Sequence, residues 1–208
     1  MDRFTARDIE KLADILRNDG VIAVPTDTVY GVCARMDSLK AQENLREVKN
    51  RPRDKAFPVM CADLKQIEEI ACVNEKAKIV MQKFMPGPIT VILKKKEEIP
   101  TYVNGGMETL AIRMATSDVL HDLIQKCGFP LYMTSANQSG CPVAESLEEI
   151  EEACPKLDGI LEGKIVFGQA STIVDLTGDE IRILRQGPIH IEQIKEELYE
   201  RLSTGSID

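Results

Sequence analysis

Hydrophobic residues recur along this chain at two spacings, and the two spacings predict an alternation of helices and strands. Residues 6–19 have apolar side chains three or four positions apart, which is typical of a helix with one buried face. Residues 21–24 form an uninterrupted apolar run with the length of a covered strand. The Asn-Asp-Gly sequence at 18–20 is typical of a helix end. The chain is therefore expected to begin with a helix followed by a buried strand.

Further helices are predicted along the rest of the chain. They are expected at 38–50, 64–70, 75–84, in the segment after Ser117, at 145–154 and at 191–202. The first four begin after or at residues that commonly cap helices, namely Ser38, Asp63, Asn74 and Ser117. In the helix at 38–50, Leu39, Leu45 and Val48 are expected to face the core.

Short apolar segments between these helices predict the strands. They are expected at 57–61, 89–93, 110–114, 130–133, 160–161, 171–176 and 180–184. The last two are joined by Thr177-Gly178-Asp179 and predict a hairpin. Because helices and strands alternate early while a hairpin comes late, the sheet is expected to be mixed, in an α/β fold.

Composition favours one soluble, globular domain. The chain has 208 residues, of which 43% are hydrophobic and 29% charged, and this length suits a single large α/β domain. It has no apolar stretch near 18 residues and no signal-peptide profile at its N-terminus, so a cytoplasmic location is expected. The six cysteines are scattered without a Cys-x-x-Cys pair, which favours reduced thiols over a zinc site.

Charge is negative overall and positive in one segment. Twenty-six basic and thirty-four acidic residues give a net charge of −8, which would repel a nucleic-acid backbone. Four cations lie two positions apart: Lys49, Arg51, Arg53 and Lys55. In an extended chain such residues share one face, so the segment is expected to direct its charge at a single point. A solvated charged loop is the alternative.

Polar residues follow several of the predicted strands. The motif at 25–31 comes directly after the strand at 21–24, residues 134–137 follow the strand at 130–133, and Arg113 and Arg185 lie at other strand ends. Ligands gather beyond the carboxyl ends of strands in open α/β sheets, so these groups are expected to line one cleft. Taken alone, the motif at 25–31 is better explained as an ordinary polar loop between a strand and a helix, and each of the other groups as a turn or a solvated strand end.

Five of these segments together resemble the signature blocks of the YrdC-like family, the threonylcarbamoyl-AMP synthases. The blocks are 25–31, 49–52, 86–90, 134–137 and 171–175, and the resemblance covers about residues 6–190. It implies a single domain over 1–208, with a core at about 6–190 and a C-terminal helix at about 191–202. It also implies a twisted open mixed sheet with flanking helices around a concave, positively charged cavity.

The resemblance further implies an activity. L-threonine, bicarbonate and ATP would give threonylcarbamoyl-AMP and pyrophosphate, with Mg²⁺ accompanying ATP and no dedicated metal site in the protein. The product would serve N6-threonylcarbamoyladenosine formation at position 37 of tRNA. A downstream threonylcarbamoyl transferase complex would use it, so little direct tRNA binding and no membrane association are expected.

Site residues are carried over by motif. The resemblance makes Lys49 and Arg51 the catalytic pair that grips phosphates. It implies these contacts to ATP: Lys49, Arg51, Lys55, Thr109, Ser135, Asn137, Val143 and Arg185. It implies these contacts to threonine: Thr28, Tyr30, Met133, Arg113 and Ser171. Arg113 is expected to pair with the amino-acid carboxylate and Tyr30 to shape the pocket wall.

An RNA-binding module is the main alternative function. It would use the basic segment 49–55 for phosphates, and its RNA affinity would fall steeply with salt. A serine hydrolase and a P-loop ATPase are disfavoured, since the sequence has neither a Gly-x-Ser-x-Gly elbow nor a Walker A motif. Neither of the two histidines lies in a polar cluster, which argues against a catalytic histidine.

Overall fold

The computed structural model describes residues 1–165 and 170–204, and their strands form one mixed sheet. The strands, in chain order, are β1 (Arg3–Phe4), β2 (Ile22–Pro25), β3 (Tyr30–Arg35), β4 (Val59–Cys61), β5 (Ala71–Cys72), β6 (Ile89–Lys95), β7 (Thr109–Met114), β8 (Leu131–Ser135), β9 (Gly159–Leu161), β10 (Thr172–Asp175) and β11 (Arg182–Arg185). The strand order across the sheet is β1-β9-β2-β3-β8-β4-β7-β6-β10-β11, with β5 paired to β6.

The helices flank this sheet. They are α1 (Ile9–Arg17), α2 (Leu39–Lys49), α3 (Leu64–Ile70), α4 (Glu75–Phe84), α5 (Asp118–Cys127), α6 (Leu147–Ala153) and α7 (Ile191–Thr204). Short 3₁₀ helices lie at Ala6–Asp8 and Val103–Gly106. None of the helices in the described ranges is both long enough and apolar enough to cross a bilayer.

Parallel and antiparallel pairs coexist in the sheet, as the sequence predicts. Strand β9 is parallel to β2, and β6 is parallel to β10. Strands β2 and β3, β3 and β8, and β10 and β11 are antiparallel, so the predicted late hairpin is confirmed. The predicted α/β fold class with a mixed, helix-flanked sheet is therefore confirmed.

The sheet buries both faces, each against its own cluster of apolar side chains. Successive residues of β2 alternate between the clusters: Ile22 and Val24 belong to one, and Ala23 to the other. The smaller cluster includes Leu16 of α1 and Leu123 of α5, and these two helices pack against each other. The larger cluster contains residues of α2, α3, α4, α6 and α7. A sheet covered on both sides explains the long apolar runs in the sequence.

The predicted helix caps are all observed. The side chains of Ser38, Asp63, Asn74 and Ser117 each accept a hydrogen bond from a backbone N–H three residues further on.

The predicted buried face of α2 is observed in part. Leu45 and Val48 are buried as expected, but the prediction that Leu39 faces the core is wrong, since this residue begins α2 and is 51% exposed. Leu39 occupies the first helical position, directly after the cap Ser38.

The central strand β3 was not predicted from the sequence. Residues 26–29 of the segment 25–31 form the tight turn between antiparallel β2 and β3, closed by a hydrogen bond from the Thr26 N–H to the Val29 carbonyl oxygen. The segment does not lead into a helix. Strand β3 has a polar motif before it and a glycine within it, and its central residues are buried, so it lacks the alternation that marks a half-buried strand. The short strands β1 and β5 were also not predicted.

Candidate active site

A cavity of about 520 Å³ opens on the face of the sheet that carries α1 and α5. Its floor includes Ala111 of β7 and Met133 of β8, and its walls include the β2–β3 turn and the start of β10. None of its described lining residues belongs to α1 or α5. The two helices thus cover one part of this face and leave the strands beside it open, which creates the cavity.

Three guanidinium groups from distant parts of the sequence line this cavity. They belong to Arg51, which follows α2, to Arg113 of β7 and to Arg185 of β11. The described lining residues include no Asp or Glu. Since guanidinium groups are always protonated, the cavity carries a concentrated positive charge and is suited to an anionic ligand. The predicted convergence of these three residues is observed.

Arg113 is held by the β2–β3 turn. Its Nη2 donates to Asp27 Oδ1 at 2.5 Å, and its Nη1 donates to Thr28 Oγ1 at 3.0 Å. Both members of the ion pair are buried. Arg113 Nε and Asp27 Oδ2 are buried and have no hydrogen-bond partner among the described residues. Removing one partner of such a pair would leave an uncompensated buried charge, which costs about 3–5 kcal/mol.

Arg185 is held by the backbone and side chain of Ser171. Its Nε donates to the Ser171 carbonyl oxygen at 2.9 Å, and its Nη2 donates to Ser171 Oγ at 3.1 Å. The Ser171 hydroxyl is also 2.7 Å from Thr90 Oγ1. Burial lowers the pKa of Arg185, and the nearby positive charge of Arg113 lowers it further. The two cations are thus close enough to repel each other, which a bound anion would relieve.

Arg51 is held by the loop that follows it. Its Nη2 donates to the Ala56 carbonyl oxygen at 2.5 Å, and its guanidinium carbon lies 4.9 Å from the centre of the Phe57 ring. Burial lowers the pKa of Arg51, and the charge of Arg46 contributes. Both side-chain hydrogen bonds of Arg51 go to neutral carbonyl groups. Asp54 acts on its charge, but no carboxylate is bonded to the guanidinium within residues 1–165 and 170–204.

Lys49 lies beneath the cavity wall and outside its lining. Its Nζ donates to the Ser135 carbonyl oxygen, to the Asn137 carbonyl oxygen at 2.5 Å and to Asn137 Oδ1 at 2.7 Å. The side chain is 1% exposed, and burial lowers the pKa of the amine to about 8. Three acceptors therefore occupy the ammonium group, which fixes the turn that carries Ser135.

The four cations of the segment 49–55 do not share one face, so that prediction is wrong. Lys49 ends α2 and Asn50 adopts a left-handed backbone conformation with φ of 46°, which turns the chain instead of extending it. Arg53 is directed to the surface, where its Nη2 is 2.8 Å from Glu43 Oε2. Lys55 is exposed as well. Among these four cations, only Arg51 lines the cavity.

Other predicted residues divide between the cavity and its surroundings. The following line the cavity with the three arginines: Thr28, Met133, Ser135, Val143 and Ser171. The following do not: Tyr30, Lys49, Lys55, Thr109 and Asn137. The Tyr30 hydroxyl is bonded to both backbone groups of Gly163, and Thr109 lies at the start of β7. Asn137 contacts Ser135 instead: its Oδ1 accepts a hydrogen bond from the Ser135 hydroxyl at 2.7 Å.

Asp27, Thr26 and Thr90 belong to the site but were not singled out from the sequence. Asp27 pairs with Arg113, Thr26 Oγ1 is 3.1 Å from Thr28 Oγ1, and Thr90 lines the cavity. Asp27 and Thr26 lie within the segment 25–31, and Thr90 ends the segment 86–90. Membership of these segments was the one feature of the sequence that could have identified the three residues. Their contacts depend on strands that are far apart in sequence.

Within residues 1–165 and 170–204, no three His, Cys, Asp or Glu side chains are grouped closely enough to hold a metal ion. The cavity instead offers guanidinium and hydroxyl groups, which bind phosphate and carboxylate oxygens.

Comparison with known proteins places this architecture in a family. The family model for Sua5, YciO and YrdC, described as "Telomere recombination", matches residues 14–187. A threonylcarbamoyl-AMP synthase of Bacillus subtilis is 36% identical over 191 residues, covering 90% of this chain and 55% of the relative. A threonylcarbamoyl-AMP synthase of Pyrococcus abyssi is 33% identical over 187 residues, covering 88% of this chain and 55% of the relative.

A solved structure agrees with these sequence relatives. The crystal structure of P. abyssi Sua5 complexed with L-threonine matches with a TM-score of 0.88 and 31% identity, covering 95% of this chain and 60% of that one. The chain thus spans about half the length of the two curated relatives.

Proposed function

Because the chain belongs to the Sua5/YciO/YrdC family, we propose that it is an L-threonylcarbamoyladenylate synthase. L-threonine, bicarbonate and ATP would give threonylcarbamoyl-AMP, pyrophosphate and water, which makes the enzyme a nucleotidyltransferase. Relatives named threonylcarbamoyl-AMP synthase and the L-threonine complex of P. abyssi Sua5 support this proposal.

The triphosphate of ATP is proposed to bind between Arg51 and Arg185. Neither guanidinium is bonded to a carboxylate among the described residues, so both charges are available to phosphate oxygens. When the carbamate oxygen attacks the α-phosphorus, these cations would stabilise the charge on the departing pyrophosphate. Ser135 and Val143 line the cavity and would contact the rest of the nucleotide.

Lys49 is proposed to act on the nucleotide through its neighbours. Its ammonium donates to Ser135 and Asn137, so it would hold the turn that presents Ser135 to ATP. Lys55 and Thr109 lie outside the lining, and the proposal does not depend on them.

The amino acid is proposed to bind at Arg113. The guanidinium has further N–H donors beyond those given to Asp27 and Thr28, and these would pair with the threonine carboxylate. Thr28 and Ser171 place hydroxyl groups in the cavity, and Met133 contributes an apolar surface. Threonine would thus be oriented with its amine towards the nucleotide, where the carbamate forms.

Magnesium is proposed to enter as part of the substrate, MgATP. Mg²⁺ is usually held by substrate phosphates and water with few protein ligands. The product would pass to a downstream threonylcarbamoyl transferase complex that modifies adenosine 37 of tRNA. The alternative of an RNA-binding module has lost its main support, since the cations of the segment 49–55 are directed to different places.

The convergence of Arg51, Arg113 and Arg185 in one cavity is the observation that carries the proposal. The test is to incubate the protein with MgATP, bicarbonate and labelled L-threonine. We expect threonine-dependent release of pyrophosphate together with a labelled adenylate. Pyrophosphate release that is the same with and without threonine would refute the proposed reaction.

A further inference from the structure

Asp27 is the one acidic residue bonded to a guanidinium of the cavity within the described parts of the chain. We propose that Asp27 is a specificity-determining positioning residue that divides the cavity into two parts of different charge. It neutralises Arg113, so that this part accepts an amino acid, and it leaves Arg51 and Arg185 cationic for a polyphosphate. This inference rests on the proposed function and extends it.

The pairing differs among the three arginines. Arg113 is bonded to the Asp27 carboxylate at 2.5 Å, whereas Arg185 is bonded to the neutral Ser171. The Arg51 guanidinium is bonded to carbonyl oxygens of its own loop, and Asp54 acts on its charge without forming an ion pair. Among the described residues, a carboxylate is therefore hydrogen-bonded to Arg113 but not to Arg51 or Arg185, although all three groups line the same cavity.

The charges of the two ligands match this division. An amino acid carries one carboxylate and one amino group, whereas a polyphosphate carries several negative charges. Inside a cavity of low dielectric constant, the Asp27 carboxylate would repel phosphates near Arg113 more strongly than an overall neutral amino acid. A carboxylate ligand can still form short hydrogen bonds with the N–H groups that Arg113 has left.

Asp27 acts through Arg113 because it does not itself line the main cavity. It borders a separate pocket of about 190 Å³ on the other side of Thr26. Its Oδ1 and the Thr28 hydroxyl each accept one N–H from the guanidinium, which fixes the plane of that group. The carboxylate therefore sets both the orientation and the net charge of the proposed threonine site.

Calorimetric titration with L-threonine and with inorganic pyrophosphate tests the inference. The variant Asp27→Asn keeps the side-chain shape and removes the charge. We expect its affinity for pyrophosphate to rise about threefold or more, because the repulsion by the carboxylate is gone. We expect its affinity for threonine to fall about tenfold, because a neutral amide bonds the guanidinium more weakly than the carboxylate does and no longer fixes its plane. The control Asp175→Asn changes a partly buried Asp that pairs with Arg182 outside the lining, and it should leave both affinities unchanged.

The critical result is that the two affinities change in opposite directions. If Asp27 had a purely structural role, its substitution would weaken the binding of both ligands. Parallel loss of both affinities, or no change in pyrophosphate affinity, would overturn the inference. If Asp27→Asn does not fold, the unaltered protein still gives a test: saturating pyrophosphate should leave threonine binding intact, and competition between them would overturn the inference. Failure of the unaltered protein to bind threonine would refute the proposed function as well.

Discussion

Lys49 and Asn137 are joined by two hydrogen bonds, from Nζ to the backbone oxygen at 2.5 Å and to Oδ1 at 2.7 Å. The bonds connect the end of α2 to the turn after β8. Asn137 in turn donates through Nδ2 to the Cys141 carbonyl oxygen at 2.5 Å. One buried ammonium group therefore organises the turn that carries Ser135 into the cavity.

Replacing this ammonium should destabilise the fold and impair the site together. Lys49→Met removes one donor from each of three acceptors. The Ser135 carbonyl oxygen still accepts from the Asn137 N–H and Asn137 Oδ1 from the Ser135 hydroxyl, so the Asn137 carbonyl oxygen is the one left without a donor among the described residues, which costs about 1–3 kcal/mol. We expect a lower free energy of unfolding in urea and at least tenfold lower kcat/KM in the threonine-dependent pyrophosphate assay. Lys55→Met removes an exposed lysine and serves as the control, with little change in either quantity. Equal effects of the two substitutions would contradict this role of Lys49.

The same ammonium should make stability depend on pH in a defined direction. Burial lowers the pKa of Lys49 from 10.5 to about 8. Between these values the unfolded chain holds the proton and the folded chain does not, so the free energy of unfolding rises with pH. Comparing wild type with Lys49→Met cancels other titrations, and we expect the wild type to gain about 2 kcal/mol relative to the variant from pH 8 to pH 10. If the difference in unfolding free energy between wild type and Lys49→Met stayed constant or fell with pH, the folded protein would be stabilising the charged form of Lys49.

Arg185 and Arg182 lie on one strand and provide a matched pair of substitutions. Arg185 lines the cavity, whereas Arg182 has a side chain that is 67% exposed and pairs with Asp175. Charge-assisted hydrogen bonds contribute about 1.5–3 kcal/mol, so Arg185→Met should raise the KM for ATP by about 10- to 100-fold. Arg182→Met should change it less than about twofold. Steady-state kinetics with varied ATP measure both, and similar KM values for the two variants would argue against phosphate binding at Arg185.

Arg51 and Arg53 allow a second comparison within the basic segment. Arg51→Lys keeps a positive charge but loses the planar fork that binds the Ala56 carbonyl oxygen. We expect about tenfold lower kcat/KM for ATP in Arg51→Lys and a further loss in Arg51→Met. Arg53→Met affects a surface pair with Glu43 and should leave kcat/KM within about twofold of wild type. A larger effect of Arg53→Met would instead favour phosphate binding along the whole segment, as in an RNA-binding surface.

Local sequence signals were sufficient for most of the fold. Ser38, Asp63 and Asn74 cap helices through bonds to residues three positions away, and such bonds depend only on neighbours in sequence. Strand β3 was missed because its backbone pairs with β2 and β8 and its central residues are buried, so no alternation marks it.

The site was predictable only as a set of segments. Arg51 was identified within the segment 49–52, and Arg113 and Arg185 were identified at strand ends. The structure brings these three side chains together. The sequence did not reveal that Lys49 turns inward or that Asp27 pairs with Arg113, because these contacts span 88 and 86 positions. Such contacts depend on the strand order, which local spacing does not encode.

Gly187 supports the Arg185 site through close backbone packing. A Cβ at Gly187 would lie 2.6 Å from the Ala170 carbonyl oxygen and would also overlap the backbone of Ser171 and Thr172. These backbone atoms cannot move without displacing Ser171, which holds Arg185 through its carbonyl oxygen and hydroxyl. We expect Gly187→Ala to cost about 1–3 kcal/mol in unfolding free energy and to raise the KM for ATP.

Gly178 in the β10–β11 turn is the matched control for this substitution. A Cβ there has no atom within 4 Å, so Gly178→Ala should change the unfolding free energy by less than about 0.5 kcal/mol. Urea denaturation and ATP kinetics on both variants make the comparison. If Gly187→Ala lowered stability but left the KM for ATP unchanged, the Ser171 backbone would not be what positions Arg185 for the nucleotide.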